Sequence, residues 1–175
     1  MNSTYQLGYS FFLNTLVSLG SIINSGTKKF IIFGGGIIKK GFQCCGRHRI
    51  ITDKNTGDEY LERYYLFLKD RKDFPFNIFV HKFLKSDPDD LHDHPWSYFT
   101  CILRGGYMEH TPSGKFWRKP FTCRCGKPED LHRIELDPSV GDCWTLFIPG
   151  QKKKDWGFMT DKGWIPNKEY TNKVD

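Results

Sequence analysis

The 175-residue sequence lacks an uninterrupted apolar run of the roughly 20 residues that a membrane-spanning helix needs. Its longest apolar stretches run from Phe11 to Ile23 and from Phe30 to Ile38. Asn14, Thr15, Ser18, Gly20 and Ser21 break the first, and Gly34-Gly35-Gly36 breaks the second. A membrane span is therefore not expected. No segment pairs a basic start with a small-residue cleavage site, so a cytoplasmic setting is expected, with Cys44, Cys45, Cys101, Cys123, Cys125 and Cys143 reduced. The glycine triplet lacks the Gly-Lys-Ser/Thr ending of a phosphate-binding loop. The acids Asp87, Asp89, Asp90 and Asp93 lack EF-hand spacing and read as ordinary turn chemistry. Internal repeats and low-complexity tracts are absent too. The net charge of +6 is scattered over short runs such as Lys28-Lys29, Lys39-Lys40 and Lys152-Lys153-Lys154, which gives no strong nucleic-acid signal.

What is present is the material of a core. A 38% hydrophobic and 16% aromatic composition separates the chain from disordered sequences, and its length suits one domain with appendages. Phe12, Leu16, Leu19 and Ile23 recur at helical spacing, which predicts an amphipathic helix over about residues 4 to 24. From about residue 42 the texture changes to short aromatic and β-branched runs between turn residues, the pattern of an all-β sandwich or barrel. Strands are expected over 60–69, 76–84, 91–103, 107–110, 115–117, 121–125, 131–136 and 142–148, with a hairpin at Gly105-Gly106. The expected organisation is a helical appendage over 1–41, a barrel over 42–166 and a tail over 167–175.

The chemistry gathers in His92-Asp93-His94-Pro95-Trp96. Alternate residues of a strand share a face, so two imidazoles separated by roughly 6 to 7 Å can reach one divalent ion. His132 is the natural third ligand. Imidazole nitrogens suit Fe, Zn, Mn or Ni. His81 shares a strand face with Asn77, Phe79 and Phe83 and reads first as a structural residue. Cys123 and Cys125 form a Cys-x-Cys pair, which reads as core packing before zinc binding. Arg118, Arg124 and Arg133 carry planar forks suited to a carboxylate or phosphate, and Trp96 can stack on a ligand.

In this order His92, His94, Gly105-Gly106 and His132 resemble the two motifs of the cupin superfamily. Residues 87–107, 131–133, 144–146 and 156–158 look like a little-characterised cupin family bearing His-Asp-His-Pro-Trp. The resemblance covers about residues 58 to 166 and implies a double-stranded β-helix, or jelly roll, around a metal site. One departure stands out: Tyr98 or Phe99 occupies the position of the usual ligand carboxylate. The resemblance then implies a three-histidine site, or one that recruits Glu109 from the returning strand. Tyr98 falls on the histidine face and can donate a proton.

The expected function is a metal-binding cupin, read as a mononuclear Fe(II)-type dioxygenase of a small polar substrate. Tyr98 and Glu109 are its catalytic candidates, with Arg118, Arg133 and Trp96 as substrate contacts. Two alternatives remain open at this point: a non-catalytic ligand- or partner-binding cupin, and a metal-independent sugar-nucleotide epimerase or isomerase using Tyr98 or Tyr107 as acid. A homodimer is a further expectation.

Overall fold

The computed structural model describes residues 35–53, 56–69, 71 and 74–171. The helix expected over 4–24 and the Lys28-Lys29 run lie outside the described residues. The chain divides into two units, Met1–Gly41 and Phe42–Asp175. Helix α1 (Gly35–Cys44) begins in the first and ends in the second. Among the described residues, no helix is long and apolar enough to cross a membrane.

Among the described residues, the second unit holds twelve strands. They are β1 (His48–Thr52), β2 (Glu59–Tyr65), β3 (Phe79–Phe83), β4 (Leu91–His92), β5 (Trp96–Arg104) and β6 (Tyr107–Thr111). Then follow β7 (Gly114–Arg118), β8 (Cys123–Gly126), β9 (Arg133–Leu136), β10 (Cys143–Lys152), β11 (Gly157–Thr160) and β12 (Gly163–Pro166), with a single turn of helix, α2 (Asn167–Tyr170), at the end. Six strands form one continuous antiparallel sheet in the order β1-β2-β3-β10-β5-β8. The other six form two sheets of three, β12-β11-β4 and β7-β6-β9. An isolated antiparallel bridge between His92 and His132 joins these two halves. The His92 N–H donates to the His132 carbonyl at 2.8 Å and the His132 N–H returns to the His92 carbonyl at 2.9 Å. The result is a jelly-roll sandwich with one whole face and one seamed face.

Strand alternation explains the core. β3 reads buried, partly buried, buried along its length, so Phe79, His81 and Phe83 all point inward. Leu61, Phe83, Ile102 and Cys143 from the large sheet meet Tyr107 and Ile134 from the seamed face in one buried cluster.

Four expectations are corrected. The stretch 91–103 is not one strand, because pairing stops after His92 and resumes at Trp96. Pro95 has no N–H to give a ladder and disfavours helical backbone at His94. The freed amides find other acceptors: Asp93 N–H bonds the Gly157 carbonyl at 3.1 Å and His94 N–H the Pro128 carbonyl at 3.1 Å. Gly105-Gly106 does not close a hairpin between β5 and β6. It carries the chain from the large sheet to the seamed face, since β5 pairs with β10 and β8 while β6 pairs with β7 and β9. At Gly105, φ is +75° and a Cβ would lie 2.4 Å from the Asp142 carbonyl oxygen, so only glycine turns this corner. The cysteines are not all reduced, because Cys101 and Cys123, cross-strand neighbours on β5 and β8, are joined in a disulfide. Cys125 is exposed and not part of the core. Beyond β10, β11 and β12 form a hairpin, and Tyr170 of α2 stacks on Phe158 at 3.8 Å.

Candidate metal centre

Three histidines converge where the seamed face is joined. His92 ends β4 and pairs with Phe158 of β11 on one side and with His132 on the other. His94 follows within the break, held by its bond to Pro128. The ring centroids stand 5.1 Å (His92 to His94), 4.9 Å (His92 to His132) and 5.0 Å (His94 to His132) apart, a nearly equilateral triangle. One nitrogen from each lies within 4.8 Å of the other two.

The protonation pattern follows from the partners. Glu109, on β6 and 1% exposed, accepts from His132 Nδ1 at 3.0 Å. A carboxylate accepts and does not donate, so the proton sits on Nδ1 and the lone pair on Nε2. That lone pair faces His94 Nε2 at 2.8 Å, so without metal His94 donates this bond, and its proton must move to Nδ1 before Nε2 can face an ion. Burial pulls the pKa of both His92 and His132 from 6.5 down to about 4, outweighing the raising effect of Asp87. Burial, with His92 and His132 nearby, holds His94 well below its usual value. All three rings are neutral at pH 7, the form that binds metal. His92 Nδ1 is buried with no hydrogen-bond partner, and the nearest carboxylate oxygen, on Asp87, is 3.9 Å away. Three neutral imidazoles that each bring a nitrogen within 4.8 Å of the other two make a donor set that fits a divalent ion.

Glu109 stands on the far side of His132 from this triangle. Its other contacts are a 2.8 Å bond from Arg118 Nε and an ion pair with Arg124. Glu109 therefore stands behind His132, in a position to orient its ring. Arg118 is turned to Glu109, and Arg133 is turned to the Pro88 carbonyl at 2.8 Å and to Asp89 at 2.9 Å. Neither lines the cavity at the triangle. Asp93, flanked by His92 and His94, accepts instead from Gly157 N at 2.8 Å, from Trp164 Nε1 at 3.0 Å and from Lys154.

The cavity holds about 260 Å³ and runs between the two faces, with Trp96, Tyr98, Thr100, Phe147 and Trp156 among its lining residues beside the three histidines. Tyr98 stands edge-on to His94 at 4.8 Å and nearly parallel to His132 at 6.0 Å. Its ring covers Gly126, the partner residue on β8, where a Cβ would lie 2.3 Å from the ring. Burial raises its pKa, with the Arg124 charge opposing, and its hydroxyl has no geometrically sound hydrogen bond.

Sequence reasoning missed Arg63 and Asp87. Both line the cavity. Asp87 is buried and accepts from Tyr60 and from Ile134 N at 2.6 Å. His81 is not in the triangle, because its Nε2 accepts from Arg63 Nε at 3.0 Å. The available signal was Arg63 itself, a cation on the inward face of a strand between Leu61 and Tyr65.

No protein-family model matches the chain, and no curated protein is similar to it. Solved structures are similar to it in fold. A cupin-2 domain from Rhodospirillum rubrum superposes with a TM-score of 0.52 at 12% identity, over 66% of this chain and 78% of that one. A cupin-2 conserved barrel protein from Rhodopseudomonas palustris gives 0.52 at 12%, over 66% and 80%. The polyketide cyclase RemF from Streptomyces resistomycificus gives 0.50 at 12%, over 62% and 78%.

Proposed function

With a cupin-fold barrel as the premise, we propose that this protein is a metal-dependent enzyme. It holds one divalent ion on His92, His94 and His132 and acts as a mononuclear Fe(II)-type dioxygenase on a small polar substrate. The observation that carries this reading is the triangle itself: three neutral imidazoles, two of them buried and His94 partly so, with a nitrogen of each within 4.8 Å of the others at the wall of a cavity and with no carboxylate among them. Three protein ligands leave positions open for substrate, the arrangement of catalytic and not of structural sites. When bound, the ion supplies Lewis acidity and, as iron, an electron source for dioxygen.

The chain's own residues do the rest. Glu109 fixes the His132 tautomer and aims Nε2 inward. Trp96, Phe147 and Trp156 exclude water from the reacting centre. Tyr98 keeps its proton at neutral pH and presents a hydroxyl with no protein acceptor beside His94, suited to donating a hydrogen bond to a substrate oxygen.

The test is metal analysis of purified protein loaded separately with Fe²⁺, Zn²⁺, Mn²⁺ and Ni²⁺. About one ion per chain is expected, lost in His94→Ala, with nitric oxide then giving an electron-paramagnetic signal on the ferrous form. Protein that binds none of these ions, or that binds them equally well as His94→Ala, removes the reading. Activity that survives exhaustive chelation would point instead to metal-independent proton transfer.

A further inference from the structure

The wall of the cavity formed by the large sheet carries a cation that the metal reading does not use. Arg63 of β2 sits in register with His81 of β3, and His81 with Thr145 of β10, so the three form one inward-facing row. Two contacts hold the guanidinium: His81 Nε2 takes its Nε proton at 3.0 Å, and Phe79 lies beneath it at 4.7 Å. Burial lowers its pKa from the usual value, with the Tyr65 and Tyr60 phenols opposing. His81 is itself clamped between Phe79 at 5.7 Å and Phe147 at 5.1 Å, both nearly parallel to it. Burial and the adjacent Arg63 keep His81 neutral, and so able to accept.

A buried arginine normally meets a carboxylate. Among the described residues Arg63 has no such ion pair, and Asp87, the acid on the same cavity, is taken up by Tyr60 and Ile134 N. Nε is spent on His81 and Tyr65 stands within hydrogen-bonding reach of the guanidinium, so what remains of the Nη edge is the part open to a ligand. Three neutral imidazoles would also leave an ion's double positive charge uncompensated by protein.

We propose that Arg63 is the anchor for a carboxylate on the substrate, oriented by His81 as a positioning residue. This rests on the reading of the cavity as the substrate site. A single guanidinium matches one carboxylate as a two-pronged fork, whereas a phosphate dianion calls for more cationic partners than this wall supplies.

The experiment titrates the full chain, with and without metal, with isobutyrate, isobutyramide and inorganic phosphate. It follows the fluorescence of Trp96 and Trp156, which line the cavity. Isobutyrate is expected to bind about tenfold more tightly than isobutyramide, the worth of a charge-assisted pair. Arg63→Gln should abolish that preference and Arg63→Lys should keep part of it. Equal binding of acid and amide, tighter binding of phosphate, or a preference intact in Arg63→Gln overturns the assignment. Should Arg63→Gln fail to fold, side-chain NMR of the wild type decides: isobutyrate shifts the Arg63 Nη signals, and their indifference overturns it. A preference seen in protein that takes up no ion would sink the metal reading and leave the anchor standing.

Discussion

The two faces of the sandwich are built differently. The large sheet is an unbroken ladder of six strands, whereas the opposite face is two ladders of three, meeting at one pair of residues. Inward side chains of an unbroken strand are spaced by roughly 6 to 7 Å, so such a wall offers single anchors such as Arg63. Ligand atoms within 4.8 Å of one another need strand ends and a break between them, and the seam supplies these. The difference teaches that the three histidines sit where regular pairing stops, while the wall that carries Arg63 is the most regular part of the fold.

Four measurements break or sharpen this contrast. The largest expected effect is from Asp93→Ala at the seam. This substitution leaves Gly157 N–H, Trp164 Nε1 and Lys154 without their shared acceptor, and breaking a buried ion pair of this kind costs about 3 to 5 kcal/mol. A urea midpoint unchanged from wild type would show that the seam is held elsewhere. On the continuous face, Ile102→Ala opens a void at a residue 1% exposed and should cost about 2 to 4 kcal/mol, with metal affinity unchanged. If affinity falls with stability in that variant, the two faces are not independent.

Glu109→Gln reverses that profile. Removing the charge that orients His132 should weaken metal binding by about 10- to 100-fold. The loss of stability should be smaller, about 1 to 2 kcal/mol, because Arg118 and Arg124 retain partial access to water. Calorimetric titration of the ion beside urea denaturation separates the two quantities.

The fourth measurement is of pH dependence. His92 and His132 titrate at about 4 when folded against 6.5 when free, so between those values the unfolded chain binds more protons than the folded one. Stability of the metal-free protein should fall as pH drops from 6.5 towards 4, and His92→Gln should flatten the slope. A flat profile in the wild type would mean that the triangle is solvated.

Much of this was legible in the chain. The change to short aromatic runs after residue 42 announced the sandwich, and His92, His94 and His132 were named from spacing and resemblance. The convergence was foreseen for an incomplete reason, since alternation on one strand is not what unites the first two: Pro95 breaks that strand, and the backbone amides around it find distant carbonyls. Local pattern also misjudged Gly105-Gly106, because a tight corner can lead to either sheet and only long-range pairing chooses. The Cys101–Cys123 link was hidden for the same reason, as its partners lie 22 residues apart on strands whose adjacency the sequence does not state. Arg63 escaped because a charged residue within a strand is ordinarily assigned to the outer face. Inside this sandwich its environment is Phe79, His81 and a cavity.

The reciprocal bond between His92 and His132 makes two of the proposed ligands each other's backbone partners across the join. An ion gripping both rings would therefore act as a clasp on the half-sheets as well as a reagent. In hydrogen-exchange terms, the amides of His92 and His132 should be among those most slowed by loading, and the edge β11-β12 should open last when the site is filled. The protein's resistance to unfolding would then follow metal supply, so that scarcity of the ion shortens the life of the fold as well as silencing its chemistry.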